Sequence, residues 1–413
     1  MSTSTQPAAA VNSPAAPALH INFLDGLRGL TALYVVLFHF LDLDSTGLTS
    51  REIHAAHLVQ AGHSAVTLFI VLSGFSLMLP VARSTDGTLK GGSVGFLKRR
   101  ARRILPPYYA ALALSVFGLL LSPQGLGYLR GARDPNWLLA LSAPVVISHV
   151  LLVQDLSMAW ALRLNQAMWS VATEWQIYFL LPFLLLPVWR RAGVWAMAAA
   201  GMALGIAPIV LAVRHFPFIP QGVWYVGSFA LGAAGAAWAW RGLADERRQP
   251  ALRRAALLGL GLSAVAYVLA CKYIAPPHTM NADPGRNYFN AVLKDYILSA
   301  MIACVLVYGT LARDLSASWG FTPFRLLETP AARHLGAFSY SLYLTHCIVL
   351  SQADAWIGAE QVAPATAFVL KAVVGVPLAV AVAYLFHLAF EKPFMVSSGS
   401  RNTRLLAEAP AQS

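Results

Sequence analysis

"LDGLRGLTALYVVLFHF", Leu24–Phe40, has the apolar length of a membrane-crossing helix, yet it carries Asp25, Arg28 and His39. An ionisable side chain in hydrocarbon costs at least about 2.5 kcal/mol and is rare there without a function. Arg28 and His39 are eleven residues apart. On an α-helix that is about three turns, so both side chains share one face, about 16 Å apart along the axis. The stretch predicts a polar seam through the bilayer.

The rest of the chain supplies the same setting. Its 413 residues are 57% hydrophobic and 12% charged, with a mean hydropathy of +0.59. A soluble domain carries about 25% charged residues. Repeated apolar runs, each near the ~20 residues a bilayer needs, predict an all-α polytopic membrane protein with lipid as a partner. The net charge of +12 does not point to nucleic acid. Most Lys and Arg fall in short connectors between apolar runs, as the positive-inside rule expects. Cys271, Cys304 and Cys347 lie in apolar segments without CxxC spacing, which fits buried thiols and neither a disulfide framework nor a zinc site.

Apolar runs centre on 24–43, 61–80, 104–122, 138–153, 168–189, 193–213, 221–240, 255–275, 292–312, 334–354 and 366–388. The connector from Arg83 to Arg103 and "RGLADERRQPALRR", 241–254, are both expected in the cytoplasm. An even number of crossings must separate them, yet five runs lie between. The weakest run, 138–153, is short and holds Pro144 and His149. If it is interfacial or re-entrant, about ten transmembrane helices remain and both termini are cytoplasmic. Arg190, Arg191, Arg313, Arg325 and Arg333 then lie inside, and the loop 276–290 outside. Residues 1–20 read as a disordered cytoplasmic tail without a signal-peptide pattern, 21–395 as one membrane domain, and 396–413 as a short polar tail.

This topology puts Arg28 near the inner face and His39 near the outer one. In "MWSVATEWQIYFLLPFLL", 168–185, Glu174 falls at a depth comparable with His39. A His–Glu pair would orient the imidazole and raise its basicity; a helix-packing hydrogen bond is the plainer reading. "GHSAVTLFIVLSGF", 62–75, places His63 at the outer end of the second helix with Ser73 deeper. "LGAFSYSLYLTHCIVL", 335–350, carries Tyr343 and His346, three apart and able to share a face. "LKRRARRILPPYY", 97–109, holds five basic residues before a Pro-Pro. They are a topology anchor beside anionic lipid and also a candidate site for an anionic cytosolic ligand.

Taken in order, these segments resemble the acyltransferase family 3 membrane proteins over nearly the whole chain between the tails. Arg28 and His39 fit the first-helix pattern of Arg, ten residues, then His. "LFIVLSGF" fits the second-helix signature, with Ile70 where Phe is common. Arg100, Arg103 and Pro106 fit Arg-x-x-Arg-Ile/Leu-x-Pro; Trp169, Ser170, Glu174 and Tyr178 fit the Trp-Ser…Glu…Tyr block. "FSYSLYLTH" and "FEKP" with Glu391 complete the set.

The resemblance implies acyl transfer, commonly of acetyl from acetyl-CoA, onto a hydroxyl of a cell-surface polysaccharide, glycolipid or secondary metabolite. It implies a bacterial inner membrane. The SGNH domain that some members add after an eleventh helix is not expected here, so a separate periplasmic acyl-accepting protein is a further candidate partner. Arg28, Arg100 and Arg103 would bind the CoA phosphates. His39, oriented by Glu174, would act as base or as acyl relay, with Tyr343 or Ser73 donating to the oxyanion; His63 and His346 are further substrate candidates. No metal is invoked, because the histidines lack metal-ligand spacing. The rival class is a polytopic transporter or flippase of a glycan or anionic metabolite. The chain shows no clear inverted repeat or paired broken helices of the kind that build such sites.

Overall fold

A computed structural model describes residues 21–43, 62–130, 140–215, 222–274, 284–312, 323–359 and 364–395. Both tails, 1–20 and 396–413, Arg313 and most of the loop 276–290 lie outside them. The described residues are helical and contain no strand. The helices used below are α1 (Asn22–Leu43), α2 (Gly62–Arg83), α3 (Gly92–Leu121), α4 (Ala143–Val150), α5 (Met168–Leu180), α6 (Leu186–His215), α7 (Tyr225–Ala244), α8 (Gln249–Tyr273), α9 (Pro284–Leu311), α10 (Pro330–Ala337), α11 (Ser339–Ala359) and α12 (Val376–Phe386).

Seven stretches among the described residues are long and apolar enough to cross a membrane. One, Met168–Ala207, is 40 residues long, enough for about two crossings. Gly193 breaks it with φ +86°, ψ −178°, a conformation glycine adopts without steric cost. The break falls just after Arg190 and Arg191. The protein is a multi-pass membrane protein.

One boundary departs from the sequence expectation. The basic stretch before Pro106 is not a connector: α3 begins at Gly92 and runs through Pro106 and Pro107. Arg99 to Arg103 are therefore helical and sorted by face. Within the 138–153 run, described from residue 140, residues 143–150 form the eight-residue α4 and the chain then turns, with positive φ at Leu152. Eight residues span about 12 Å, too short to cross as a helix.

Small residues set how closely the site helices approach. A Cβ on Gly74 of α2 would lie 2.1 Å from the Phe229 carbonyl oxygen of α7, and one on Gly232 of α7 2.0 Å from that of Val71. The glycines of "LDGLRGL" work the same way. A Cβ on Gly29 would meet the Gly336 nitrogen at 2.5 Å, and one on Gly336 the Asp25 oxygen at 2.1 Å. Backbone contact through glycines is the usual means of tight packing where lipid tails compete for apolar surface. Here it clamps α1 to α10 and turns Arg28 toward α2.

Candidate active site

Arg28, Arg100 and Arg103 line one cavity of about 250 Å³ with Ser73, Ser76, Ser170, Glu174, Tyr178, Tyr340 and Tyr343. The α3 periodicity explains which basic residues enter it. Arg100 and Arg103 are three apart and half-buried, whereas Lys98, Arg99 and Arg102 are exposed. Arg28 donates to Asp25 at 3.0 Å and to the Ser76 hydroxyl at 2.6 Å. Arg100 faces the Tyr178 hydroxyl, but its buried Nε finds no partner among the described residues. Leaving such a donor unmet costs about 1–3 kcal/mol. A wider recess of about 660 Å³ adjoins this end, sharing Arg28 and Arg103 and adding Asp25, Arg333 and His334.

Glu174 belongs to this arginine-lined cavity and is not paired with His39. Tyr178, one turn on along α5, donates to its Oε1 at 2.5 Å and lies 3.2 Å from the Ser73 hydroxyl. The Arg28 and Arg100 guanidiniums lie in the field of the same carboxylate. Equal depth on two helices suggested a His–Glu pair; the i,i+4 tyrosine and the arginines take the carboxylate instead. α5 is held by a buried wedge just after the 138–153 run. Asp155 accepts from Thr173 at 2.8 Å and Gln176 at 2.7 Å, and Gln154 donates to the Met168 carbonyl at 3.0 Å.

His39 and His346 meet at the other end. Nε2 of His346 lies 3.1 Å from Nδ1 of His39. Nδ1 of His346 faces the Leu342 carbonyl at 3.0 Å, and Nδ1 of His39 faces that of Val35 at 3.0 Å. A carbonyl only accepts, so each Nδ1 carries the proton in a neutral ring. His346 Nε2 is then the acceptor, and His39 keeps a lone pair on Nε2. The Cys347 thiol also approaches His346 Nε2, at 3.3 Å. Histidines scattered in the sequence thus join Cys347 with ligand atoms within 4.8 Å of one another, engaged with each other and with backbone carbonyls.

Tyr343 connects the two ends. It lines the cavity, its hydroxyl is 2.6 Å from that of Ser170, and its ring centroid is 5.9 Å from that of His346. Of the two oxyanion candidates, Tyr343 stands at the histidine end and Ser73 stays in the Glu174–Tyr178 network. His63 does not line the cavity; it is bonded to Asp295 at 3.0 Å. Sequence reading gave no role to Arg333, Ser76, Tyr178 or Asp295; only Tyr178 left a signal, its i+4 spacing from Glu174. Glu391, from the closing motif, is a buried lock: it accepts from Ser341 at 2.6 Å and bonds His387 at 2.9 Å, tying α11 to the last helix.

An ionisable cavity framed by membrane helices, with a basic mouth and an imidazole pair beyond it, suits group transfer. The family model described as an acyltransferase domain matches residues 21–388, and the chain belongs to this acyltransferase family. No curated protein and no solved structure matches it.

Proposed function

We propose that the protein is an O-acyltransferase of the bacterial inner membrane. It takes an acyl group, most simply acetyl, from cytosolic acyl-CoA and passes it to a hydroxyl of a carbohydrate-type or other small hydroxylated acceptor. The observation that carries the reading is the buried, unmet Nε of Arg100 beside Arg28 and Arg103. Three guanidiniums face two carboxylates, Asp25 and Glu174, so this end retains net positive charge. Guanidinium forks suit phosphate oxygens in geometry and charge. Arg103 and Arg333 would hold the phosphates in the outer recess, and Arg28 and Arg100 would draw the arm of the donor into the cavity.

The bound thioester supplies an acyl carbon already activated for attack, so the protein must add a base or nucleophile and a donor for the developing oxyanion. His39 Nε2 fills the first role and the Tyr343 hydroxyl the second. His346 Nε2 fixes the His39 tautomer and stands ready to take its Nδ1 proton. Glu174, through Tyr178, orients Arg100.

The test compares membranes holding wild type or His39→Gln at matched expression, given isotope-labelled acetyl-CoA, with mass spectrometry of surface glycans and small hydroxylated metabolites. Label that appears only with wild type is the expected result. Equal label in both would remove His39 from the chemistry. No label in either would remove the reading.

A further inference from the structure

Resting on that reading, we propose that a second imidazole, His63, takes the proton of the acceptor hydroxyl, with Asp295 as its positioning residue, while His39 carries the acyl group between donor and acceptor. His63 stands in the first turn of α2, one turn before Val66, which lines the cavity. Its neighbour Gly62 packs against Phe38, whose ring would lie 2.2 Å from a Cβ there. Phe38 and Gly62, the chain neighbours of His39 and His63, thus meet at one helix–helix contact, which puts both histidines at the same end of the α1–α2 pair.

His63 is held as a base is held. Asp295 of α9 is 4% exposed. It accepts from Trp224 Nε1 at 2.7 Å, from the Thr67 hydroxyl at 3.1 Å and from His63 Nε2 at 3.0 Å. The Tyr225 hydroxyl stands 3.1 Å from the same nitrogen. Rings of Trp169, Trp224 and Tyr225 surround the imidazole with centroids 6.4, 6.2 and 5.9 Å away. A carboxylate accepts, so Nε2 carries the proton and Nδ1 of the neutral ring holds the lone pair. Trp224 and Tyr225 are buried, whereas 48% of the His63 side chain is open. Trp224 and Thr67 already satisfy the Asp295 carboxylate. The third partner is a titratable ring with an open side, which is the nucleophile–base–orienter logic with the base facing outward.

The chemistry balances in two halves. His39 Nε2 bonds the acyl carbon as the carbon–sulfur bond breaks; the Nδ1 proton passes to His346 Nε2, and the thiolate leaves and is protonated by cytosolic water. The acceptor oxygen then bonds the acyl carbon as the carbon–nitrogen bond breaks. Its proton goes to His63 Nδ1 and on to water, and His346 returns the proton to His39.

The experiment uses the full-length protein in membranes and follows two rates with acetyl-CoA: label exchange into the donor from isotope-labelled CoA, and transfer to the endogenous hydroxylated acceptor. His63→Gln should lose about 100-fold in transfer and keep exchange and acetyl-CoA binding. Asp295→Asn, which keeps the volume of the buried group, should lose about tenfold in transfer and also keep exchange. Transfer equal to wild type in both variants overturns the role of His63. Exchange and transfer falling together in both make the cluster structural and overturn it too. Transfer by wild type without exchange overturns the carrier role of His39. Failure of wild type to move acyl from acetyl-CoA at all removes the underlying reading instead.

Discussion

The arginine-lined cavity and the histidine pair beyond it are built on opposite terms. At the arginine end, guanidiniums from α1 and α3 converge and one buried N–H, the Nε of Arg100, has no partner among the described residues. At the histidine end both rings face carbonyls of their own helices through Nδ1, and the Ser170 and Tyr343 hydroxyls bond each other. An unmet donor marks a place that a ligand completes. Rings held from behind mark a place whose geometry is set before the ligand arrives, which is where preorganisation speeds chemistry. The first end should govern affinity, the second rate.

The largest expected effect is therefore at His39. His39→Gln should lower turnover by about 100-fold or more while the purified protein binds acetyl-CoA as wild type does; weakened binding would break the division. Next comes Arg100→Ala with Arg103→Ala. Each removes charge-assisted hydrogen bonds worth about 1.5–3 kcal/mol, so KM for acetyl-CoA should rise by at least tenfold per residue with a smaller change in kcat. Arg100→Lys keeps the charge and loses the Nε, and its KM should fall between wild type and Arg100→Ala.

A smaller effect tests the wedge behind α5. Asp155 lies outside the spanning segments, and burial pushes its carboxyl up to about 6 against the pull of the Thr173 and Gln176 hydrogen bonds. The folded protein then holds this proton more tightly than the unfolded chain. The stabilisation is complete below about pH 4 and is lost as pH rises through about 6. The midpoint of thermal unfolding in detergent should drop over that window, and Asp155→Asn should flatten the drop. The smallest effect is on the outward face of the same basic helix: Arg102→Ala, exposed beside Arg103, should leave KM within about twofold, the worth of a solvated charge. A tenfold loss there would erase the difference between the two faces.

Much of this was legible in the sequence. Depth and face follow from spacing, so Arg28 and His39 could be set along one seam, and Tyr343 and His346 on one side of α11, where their rings lie 5.9 Å apart. The all-helical membrane class followed from composition. Spacing within a helix does not say which neighbour a face meets. Glu174 was matched to His39 by depth, yet Tyr178 and the arginines hold it. His346 became the partner of His39 because α1 packs against α11, a neighbour that no single-helix pattern reveals. Asp295 lay hidden for the same reason: its partners come from α2 and from Trp224, 228 and 71 residues away.

The Ser170–Tyr343 hydrogen bond has a consequence for the cell as well as for catalysis. A polar route through a bilayer invites ions and protons to run down their gradients. Here the wall of the cavity next to the histidine pair holds two hydroxyls 2.6 Å apart, and beside Tyr343 stands a fully buried imidazole that faces a carbonyl. A seal of this kind lets an ionisable path persist in an energised membrane without becoming a leak. Ser170→Gly should show up first as a faster collapse of the proton gradient in vesicles.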